Sequence, residues 1–191
     1  MVSIAQAVRA YRKGARMARG AFLRGIIVIG GGTCGPGFEV EAGSTLRWGP
    51  HPGIRIGRDV RFGRGVVLDV PAGAELEIED GVKVMHYSVI AASERISIGA
   101  QTQIGECSSI RDSDHGPGNA TLSMADDLRT TPTTIGAGVW IARGTAVLRG
   151  AQIGDRAVVG ANSVVVRNHP VAAQSRVAGA PAKVLGTSSV D

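Results

Sequence analysis

The sequence predicts an all-β fold, a parallel β-solenoid that follows an N-terminal α-helix and is interrupted by one long excursion loop. Two observations predict the solenoid. Ile or Val recurs at every sixth position from Ile135 to Val177, and the chain combines 28 glycines with only 4% aromatic residues. A narrow core of aliphatic side chains closed by many tight corners is typical of such a repeat. The positive charge of the chain is concentrated in residues 1–38, which contain six basic residues and no acidic residue.

The N-terminal helix is predicted for residues 1–25. Two hypotheses remain open for its apolar face. Either this face packs on the solenoid or on neighbouring subunits while the basic face is solvated, or the helix makes a peripheral contact with an anionic membrane. The apolar side chains recur every three or four positions, opposite the basic residues, and they are Ile4, Val8, Tyr11, Ala15, Ala18 and Phe22.

The solenoid is predicted for residues 26–186, and residues 187–191 are predicted to be a flexible tail. A repeat of six residues does not fit one face of an α-helix, but it can supply one strand and one corner of a solenoid. The residue two positions before each aliphatic is mostly small and faces the same side of the strand. The aliphatic positions are Ile135, Ile141, Val147, Ile153, Val159, Val165, Val171 and Val177.

Shorter runs with the same spacing extend the solenoid towards the N-terminus. The spacing lengthens by four residues before Ile56 and Ile78 and by two before Ile98, which indicates enlarged corners. The longer gap after Ile110 predicts the excursion loop at about residues 111–133. The aliphatic positions of these runs are Val40 and Leu46; Ile56, Phe62 and Leu68; Ile78, Val84 and Ile90; and Ile98, Ile104 and Ile110.

Charge and cysteine content exclude several classes of function. After residue 38 the chain has 15 basic and 16 acidic residues, so we expect no nucleic-acid partner. Cys34 and Cys107 belong to no CxxC pair, which favours reduced thiols and a cytoplasmic protein, at the inner membrane surface if the helix binds lipid. Gly30–Gly35 fits GxGxxG, but Pro36 and the hexads that follow argue against the helix that a dinucleotide site requires.

Two segments, GVWIARGTAVLRGAQIGDRAVVGANSVVVRN and VAGAPAKVLG, carry a resemblance to a known family. They resemble the hexapeptide-repeat acyltransferases, most closely the galactoside, maltose and polysaccharide O-acetyltransferases. The resemblance implies that the solenoid is a left-handed parallel β-helix and that three chains form a homotrimer. It also implies an acetyltransferase that uses acetyl-CoA as acyl donor, a saccharide or other small-molecule acceptor, and no metal.

The excursion loop opens with Arg-Asp-Ser-Asp-His, which ends at His115. Acyl transfer to a hydroxyl needs a base, and histidine suits this role because its ordinary pKa lies near neutral pH. His115 follows Ile98 by 17 residues and precedes Trp140 by 25, a spacing that resembles the catalytic histidine of the family. The resemblance therefore implies that His115 is the general base, with Asp112 or Asp114 orienting its ring at the acceptor site.

Other site residues are implied by the same resemblance. Relatives carry an asparagine where this chain has Met85 followed by His86, and because methionine lacks an amide, either His86 replaces it or the acceptor site differs. Trp140 is expected to lie beside both acceptor and pantetheine, or to bury area between subunits. The residues expected to bind coenzyme A, with the last two at its phosphates, are Trp140, Arg143, Ala161, Val166, Arg167 and Lys183.

Three alternative functions remain. The first is N-acetylation of an amino sugar or an antibiotic, because a free amine needs the same base. The second is a non-catalytic hexapeptide scaffold, which the substitution at Met85 favours. The third is a zinc site of the γ-carbonic anhydrase type, which shares the solenoid; its third ligand would fall at Ala120, so that the ligand set is incomplete.

Overall fold

The computed structural model describes residues 3–116 and 127–187, which form one α-helix and a parallel β-solenoid of about six coils. Each coil contributes one strand to each of three sheets, so the predicted solenoid is confirmed. Strands are numbered in chain order. Sheet 1 contains β1 Thr33–Cys34, β4 Ile54–Ile56, β7 Glu75–Ile78, β10 Arg95–Ile98, β15 Thr133–Ile135 and β18 Gln152–Ile153.

Sheets 2 and 3 repeat this order, and all neighbouring strands are parallel except the last pair of sheet 2. Sheet 2 contains β2 Glu39–Val40, β5 Arg61–Phe62, β8 Lys83–Val84, β11 Gln103–Ile104, β16 Trp140–Ile141, β19 Val158–Val159, β21 Ser175–Ala178 and β22 Lys183–Thr187. Sheet 3 contains β3 Thr45–Leu46, β6 Val67–Asp69, β9 Val89–Ala91, β12 Ser109–Arg111, β17 Ala146–Val147 and β20 Val164–Val165.

The core is built from the aliphatic positions of the repeat. In the fourth coil, Ile98, Ile104 and Ile110 are all fully buried, one from each sheet. Small residues stand two positions before Ile104 and before Ile90 of the third coil. These residues, Thr102 and Ser88, are also buried, and their hydroxyls bond to corner carbonyls. Thr102 donates to Gly136 O at 2.8 Å and Ser88 donates to Gly105 O at 3.0 Å. The small position of the hexad therefore supplies both space and a partner for the turning backbone.

The helix α1 spans Ile4–Ile29, so it extends four residues beyond the predicted end. Ser3 begins it with a capping box, in which Ser3 and Gln6 exchange side-chain to backbone hydrogen bonds. Its C-terminal half lies over the open end of the first coil, where Gly20 and Ile27 are buried and Leu23 is half-buried. A side chain at Gly20 would collide with the carbonyl of Phe38, so this position brings the helix close to the coil.

Arginines of the basic face contact the first coil beside Leu23 and Ile27. By contrast, Ile4, Tyr11 and Phe22 of the predicted apolar face are exposed. Arg19 and Arg24 donate to the carbonyls of Val40 and Cys34 at 3.0 and 2.9 Å. These carbonyls belong to the first coil, which has no preceding coil to donate to them. Both arginine side chains are nevertheless exposed, as expected for a solvated basic face, while one N–H of each guanidinium binds an edge carbonyl. Within the described residues, no helix is long and apolar enough to cross a membrane.

Candidate active site

The excursion loop leaves the solenoid at the corner between sheet 3 and the next strand of sheet 1, here called the 3–1 corner. It begins as a hairpin in which β13 Ser113–His115 pairs antiparallel with β14 Leu128–Thr130. His115 lies at the outer end of this pairing, opposite Leu128, and is exposed. The short ladder therefore holds the candidate base away from the core at a fixed distance from the solenoid.

Asp112 is fully buried at the foot of the hairpin. Its two carboxylate oxygens accept hydrogen bonds from the backbone N–H groups of Ser93 and Glu94, at 2.7 and 2.8 Å. These donors belong to the enlarged 3–1 corner of the preceding coil, which the lengthened spacing before Ile98 predicts. Asp112 thus joins the excursion loop to that corner. In this structural role, neither of its carboxylate oxygens is directed at solvent.

Asp114 is half-exposed and is bound by a residue from the next coil. Arg149 donates to Asp114 Oδ2 at 3.0 Å and to Thr131 Oγ1 at 3.1 Å. Arg149 is mostly buried for an arginine, with 19% of its side chain exposed. It therefore fixes both strands of the hairpin against the solenoid. Sequence reasoning did not identify Arg149, because 35 residues separate it from Asp114 and no spacing rule connects them.

Met85 and His86 lie at the corner between sheets 2 and 3 of the third coil, here called the 2–3 corner. His86 Nδ1 accepts from Arg64 N–H at 2.9 Å and lies 3.8 Å from Glu41 Oε2. The turn closes at Tyr87, whose φ of 58° is in the left-handed region. Nδ1 of His86 thus binds the neighbouring corner, and Nε2 is the nitrogen that remains to bind the acceptor substrate.

Three further predicted residues lie on sheet 2 or at its border with sheet 3. Trp140 points outward between Gln103 and Val158 and is 58% exposed. Arg143 is exposed at the 2–3 corner, 3.4 Å from Glu106, and Ala161 is exposed at the same corner one coil later. The three residues therefore follow one edge of the solenoid.

The remaining predicted residues are not all on that edge. Val166 is half-buried and Arg167 is exposed at the 3–1 corner of the last full coil. The methylene groups of Arg167 pack over Gly150, where an added Cβ would lie only 2.8 Å from Cδ of Arg167. Lys183 is exposed at the start of β22 on sheet 2, opposite Ala178.

Within one chain, the predicted site residues therefore form two groups on opposite edges of sheet 3. The 3–1 group consists of Asp112, Asp114, His115, Val166 and Arg167, and the 2–3 group consists of Met85, His86, Trp140, Arg143 and Ala161. The strands of sheet 3 separate the two corners by roughly 15 Å. Hexad spacing places each residue within its own six-residue unit, and the structure adds which of the three sheets that unit belongs to.

The outer surface of sheet 3 differs from the other two sheets in charge. Its central outward row runs through all six coils without a charged side chain, whereas the matching rows of sheets 1 and 2 carry charges such as Arg55 and Glu77 or Arg61 and Lys83. A flat, uncharged row between the two groups is typical of a buried contact surface. The row consists of Thr45, Val67, Val89, Ser109, Ala146 and Val164.

The two cysteines occupy different environments. Cys34 is buried under the helix, and burial raises the pKa of its thiol to about 11, an effect that the charge of Arg24 partly offsets. Cys107 is exposed at the 2–3 corner, next to His86 in the preceding coil. In the part of the chain that the structure describes, no three His, Cys, Asp or Glu side chains are grouped to hold a metal ion.

Comparison with known sequences identifies the repeat. Residues 132–167 match the family described as bacterial transferase hexapeptide (six repeats). No curated protein sequence matches the chain. The chain therefore carries the hexapeptide repeat of bacterial transferases in its C-terminal half, and the predicted resemblance to that class is confirmed.

Solved structures extend the similarity to most of the chain. The hexapeptide-repeat containing acetyltransferase VCA0836 from Vibrio cholerae is 26% identical, with a TM-score of 0.58 over 92% of this chain and 82% of its own. The polysialic acid O-acetyltransferase OatWY is 22% identical, with a TM-score of 0.58 over 81% and 69%. A mutant of AntD, an N-acyltransferase from Bacillus cereus, in complex with dTDP-4-amino-4,6-dideoxyglucose and coenzyme A, is 15% identical, with a TM-score of 0.69 over 82% and 84%.

These similarities have different weights. Identities as low as those of OatWY and AntD show a shared fold alone. The repeat family and the similarity to VCA0836 support the prediction of an acyltransferase. They do not distinguish transfer to oxygen from transfer to nitrogen.

Proposed function

We propose that this hexapeptide-repeat protein is an acetyl-CoA-dependent O-acetyltransferase whose acceptor is a hydroxyl of a saccharide or glycosylated metabolite. The observation that carries the proposal is the hairpin at the 3–1 corner. It interrupts a regular solenoid to present an exposed histidine, His115, and it is fixed by the buried Asp112 and by the Asp114–Arg149 ion pair. A scaffold protein would not need a histidine in so constrained a position.

The reaction follows from general-base catalysis. The neutral imidazole of His115 accepts the proton of the acceptor hydroxyl as the oxygen attacks the thioester carbonyl of acetyl-CoA. The tetrahedral intermediate then collapses and its C–S bond breaks. The imidazolium of His115 returns its proton to the departing thiolate of coenzyme A. The products are the acetyl ester and free coenzyme A, so protons and electrons balance without a metal or a redox step.

The division of the site residues supports a trimer with active sites between chains. The 3–1 and 2–3 groups lie on different edges, so they can meet only when one edge of a chain faces the other edge of a neighbour. Such a contact joins two different surfaces, and a ring of three closes it. The uncharged row of sheet 3 lies between the two edges and is the natural surface to bury in that ring.

Coenzyme A would lie in the cleft between two such chains. The backbone and small side chain at Ala161 leave room for the pantetheine arm beside Trp140, while Arg167 and Lys183 are exposed and able to meet phosphates. Arg143 is held by Glu106 and would border the arm. In this arrangement acetyl-CoA would lie on one side of His115, and the acceptor would bind on the other side.

A second candidate is N-acylation of an amino sugar. The AntD complex contains dTDP-4-amino-4,6-dideoxyglucose and coenzyme A, and its fold is similar to this chain over 82% of the length, with a TM-score of 0.69. An amine already carries a lone pair and needs only to lose one proton after attack. His115 could therefore serve either nucleophile, and the acceptor decides between them.

A thiol-release assay tests both candidates. The protein is incubated with acetyl-CoA and a panel of saccharides, amino sugars and sugar nucleotides, and the free thiol of coenzyme A is measured. Products are then treated with hydroxylamine, which cleaves an acetyl ester but not an amide. Ester products support the O-acetyltransferase and amide products support the second candidate. Absence of transfer to every acceptor, together with absence of acetyl-CoA binding, would favour the scaffold hypothesis.

A further inference from the structure

The outward face of the helix α1 is an exposed apolar stripe. Ile4, Tyr11, Phe22 and Ile29 are 86%, 77%, 69% and 88% exposed, and Val8 lies on the same side. These five residues, here called the outer stripe, fall within roughly 60° around the helix axis and extend over about 38 Å. A continuous apolar surface of this length is rare on a soluble monomer, and it indicates a contact surface.

A basic cleft borders the outer stripe. It lies between the helix and the 2–3 corners of the first two coils, has a volume of about 440 Å³, and includes Tyr11, which also belongs to the stripe. We call it the arginine cleft. Its cationic side chains are Arg12, Arg16, Arg19, Arg61 and Arg64.

Most of the positive charge of the cleft is not neutralised. Glu39 pairs with Arg16 at 2.9 Å and Glu41 pairs with Arg61 at 3.2 Å. Among the residues that the structure describes, Arg19 is bound only to the backbone carbonyl of Val40. Within the described residues, the guanidinium groups of Arg12 and Arg64 have no ion pair, and the helix itself contains no acidic residue.

We propose that the outer stripe and the arginine cleft together bind an anionic membrane surface. The stripe would lie in the plane of the interface, with its apolar side chains at the boundary between headgroups and acyl chains. The cleft would then be at headgroup level, where guanidinium groups bind lipid phosphates through paired N–H donors. Tyr11, with an apolar ring and a polar hydroxyl, lies where the two regions meet and suits that depth.

A second copy of the chain fits this surface less well. Packing two outer stripes together would bring two helices of high positive charge side by side, without an acidic residue on either helix. A phospholipid surface supplies both the missing negative charge and the apolar phase. The proposal does not depend on the chemistry at His115, since neither the stripe nor the cleft contains a residue of the candidate active site.

Sedimentation of the full-length protein with vesicles tests the proposal. Wild type should bind vesicles that contain phosphatidylserine, should not bind vesicles of pure phosphatidylcholine, and should be released as salt rises. The double variant Ile4→Ser, Tyr11→Ser should bind at least about tenfold more weakly, because it removes apolar area from the interface. Arg12→Gln and Arg64→Gln should each weaken binding about fivefold.

Arg58→Gln is the matched control. Arg58 is exposed at the corner between sheets 1 and 2, outside the cleft, and the variant loses the same charge. It should bind nearly as wild type does. If wild type does not bind phosphatidylserine vesicles at low salt, or if Arg58→Gln weakens binding as much as Arg12→Gln, the proposal is wrong. A lower mass of the Ile4→Ser, Tyr11→Ser variant in light scattering, without vesicle binding by wild type, would instead assign the stripe to contacts between copies.

Discussion

Two aspartates in one pentapeptide, Asp112 and Asp114, have different contacts although the sequence makes them equal candidates to orient His115. Asp112 points inward and accepts two backbone N–H groups, which is possible because it follows Arg111 at the last position of a solenoid strand. Asp114 is two residues further along the chain, in the hairpin strand β13, and forms an ion pair with Arg149. The sequence points to His115 as the candidate base, but the partners of Asp112 and Asp114 come from other coils and could not be predicted.

The role of His115 leads to a kinetic prediction. His115→Ala should lower kcat by about 10²–10⁴-fold, the usual contribution of a general base, with little change in the KM for acetyl-CoA. Steady-state kinetics of the wild type and the variant give both quantities.

Lys183→Ala should have the opposite kinetic effect to His115→Ala. If Lys183 binds a phosphate of coenzyme A, the interaction is the same in the ground state and the transition state, so KM for acetyl-CoA should rise while kcat is nearly constant.

Wild-type turnover by His115→Ala at saturating acceptor would contradict the assignment of His115 as the general base. His86 would then be the next candidate for the base.

The cysteines give a prediction about pH. Cys107 is exposed, so a thiol reagent should modify it rapidly at neutral pH. Cys34 is buried and its pKa is about 11, so it should react slowly and faster as pH rises, because the thiolate is the reactive form. Since folding raises this pKa above its usual value of 9.0, the free energy of unfolding should decrease as pH rises from about 9 towards 11. Cys107→Ser should abolish the fast phase, and fast modification of Cys34 would contradict the burial.

At the level of elements, the solenoid strands were predictable and the packing of the helix was not. The hexads identify the buried aliphatics in every coil, because a six-residue period has one structural solution. The amphipathic pattern of α1 predicts the helix itself, but the apolar face is turned outward. Contacts between residues far apart in sequence accompany this orientation: Arg19 and Arg24 bind edge carbonyls, and Ile27 packs in the core. Gly20 allows the helix to approach Phe38 closely.

The glycines of this helix allow a controlled test of its packing. Gly20→Ala should destabilise the protein, because the added methyl group collides with the carbonyl of Phe38 and forces the helix away from the first coil. Gly14→Ala and Gly25→Ala have open space and should stabilise it by about 0.5–1 kcal/mol, as alanine usually does within a helix. Thermal and denaturant unfolding of the three variants give the comparison. Stabilisation by Gly20→Ala would mean that the helix does not lie against the coil.

At the level of the whole molecule, the two groups of site residues suggest how a regular solenoid acquires an active site. Parallel coils produce long straight edges, and the two groups lie on different edges of one chain, so a site that uses both groups needs a second chain. The 3–1 corner supplies His115 and Arg167, and the 2–3 corner supplies His86 and Arg143. Neither edge contains both His115 and the residues that border Trp140. A neighbouring chain is therefore part of the proposed site, not only a source of stability.

Mixing two inactive variants tests this arrangement. The chains His115→Ala and His86→Ala, Arg143→Ala carry their changes on opposite edges, and each homotrimer should have low activity. Light scattering should give a mass near three chains for both. When the two are unfolded, mixed equally and refolded, every mixed trimer should contain one interface with both edges intact, so that activity recovers to about a quarter of the wild-type value. Recovery should be absent when Val89→Arg places a charge in the uncharged row of sheet 3 and prevents assembly. A monomer that is fully active, or mixed trimers without recovered activity, would show that each chain holds its own complete site.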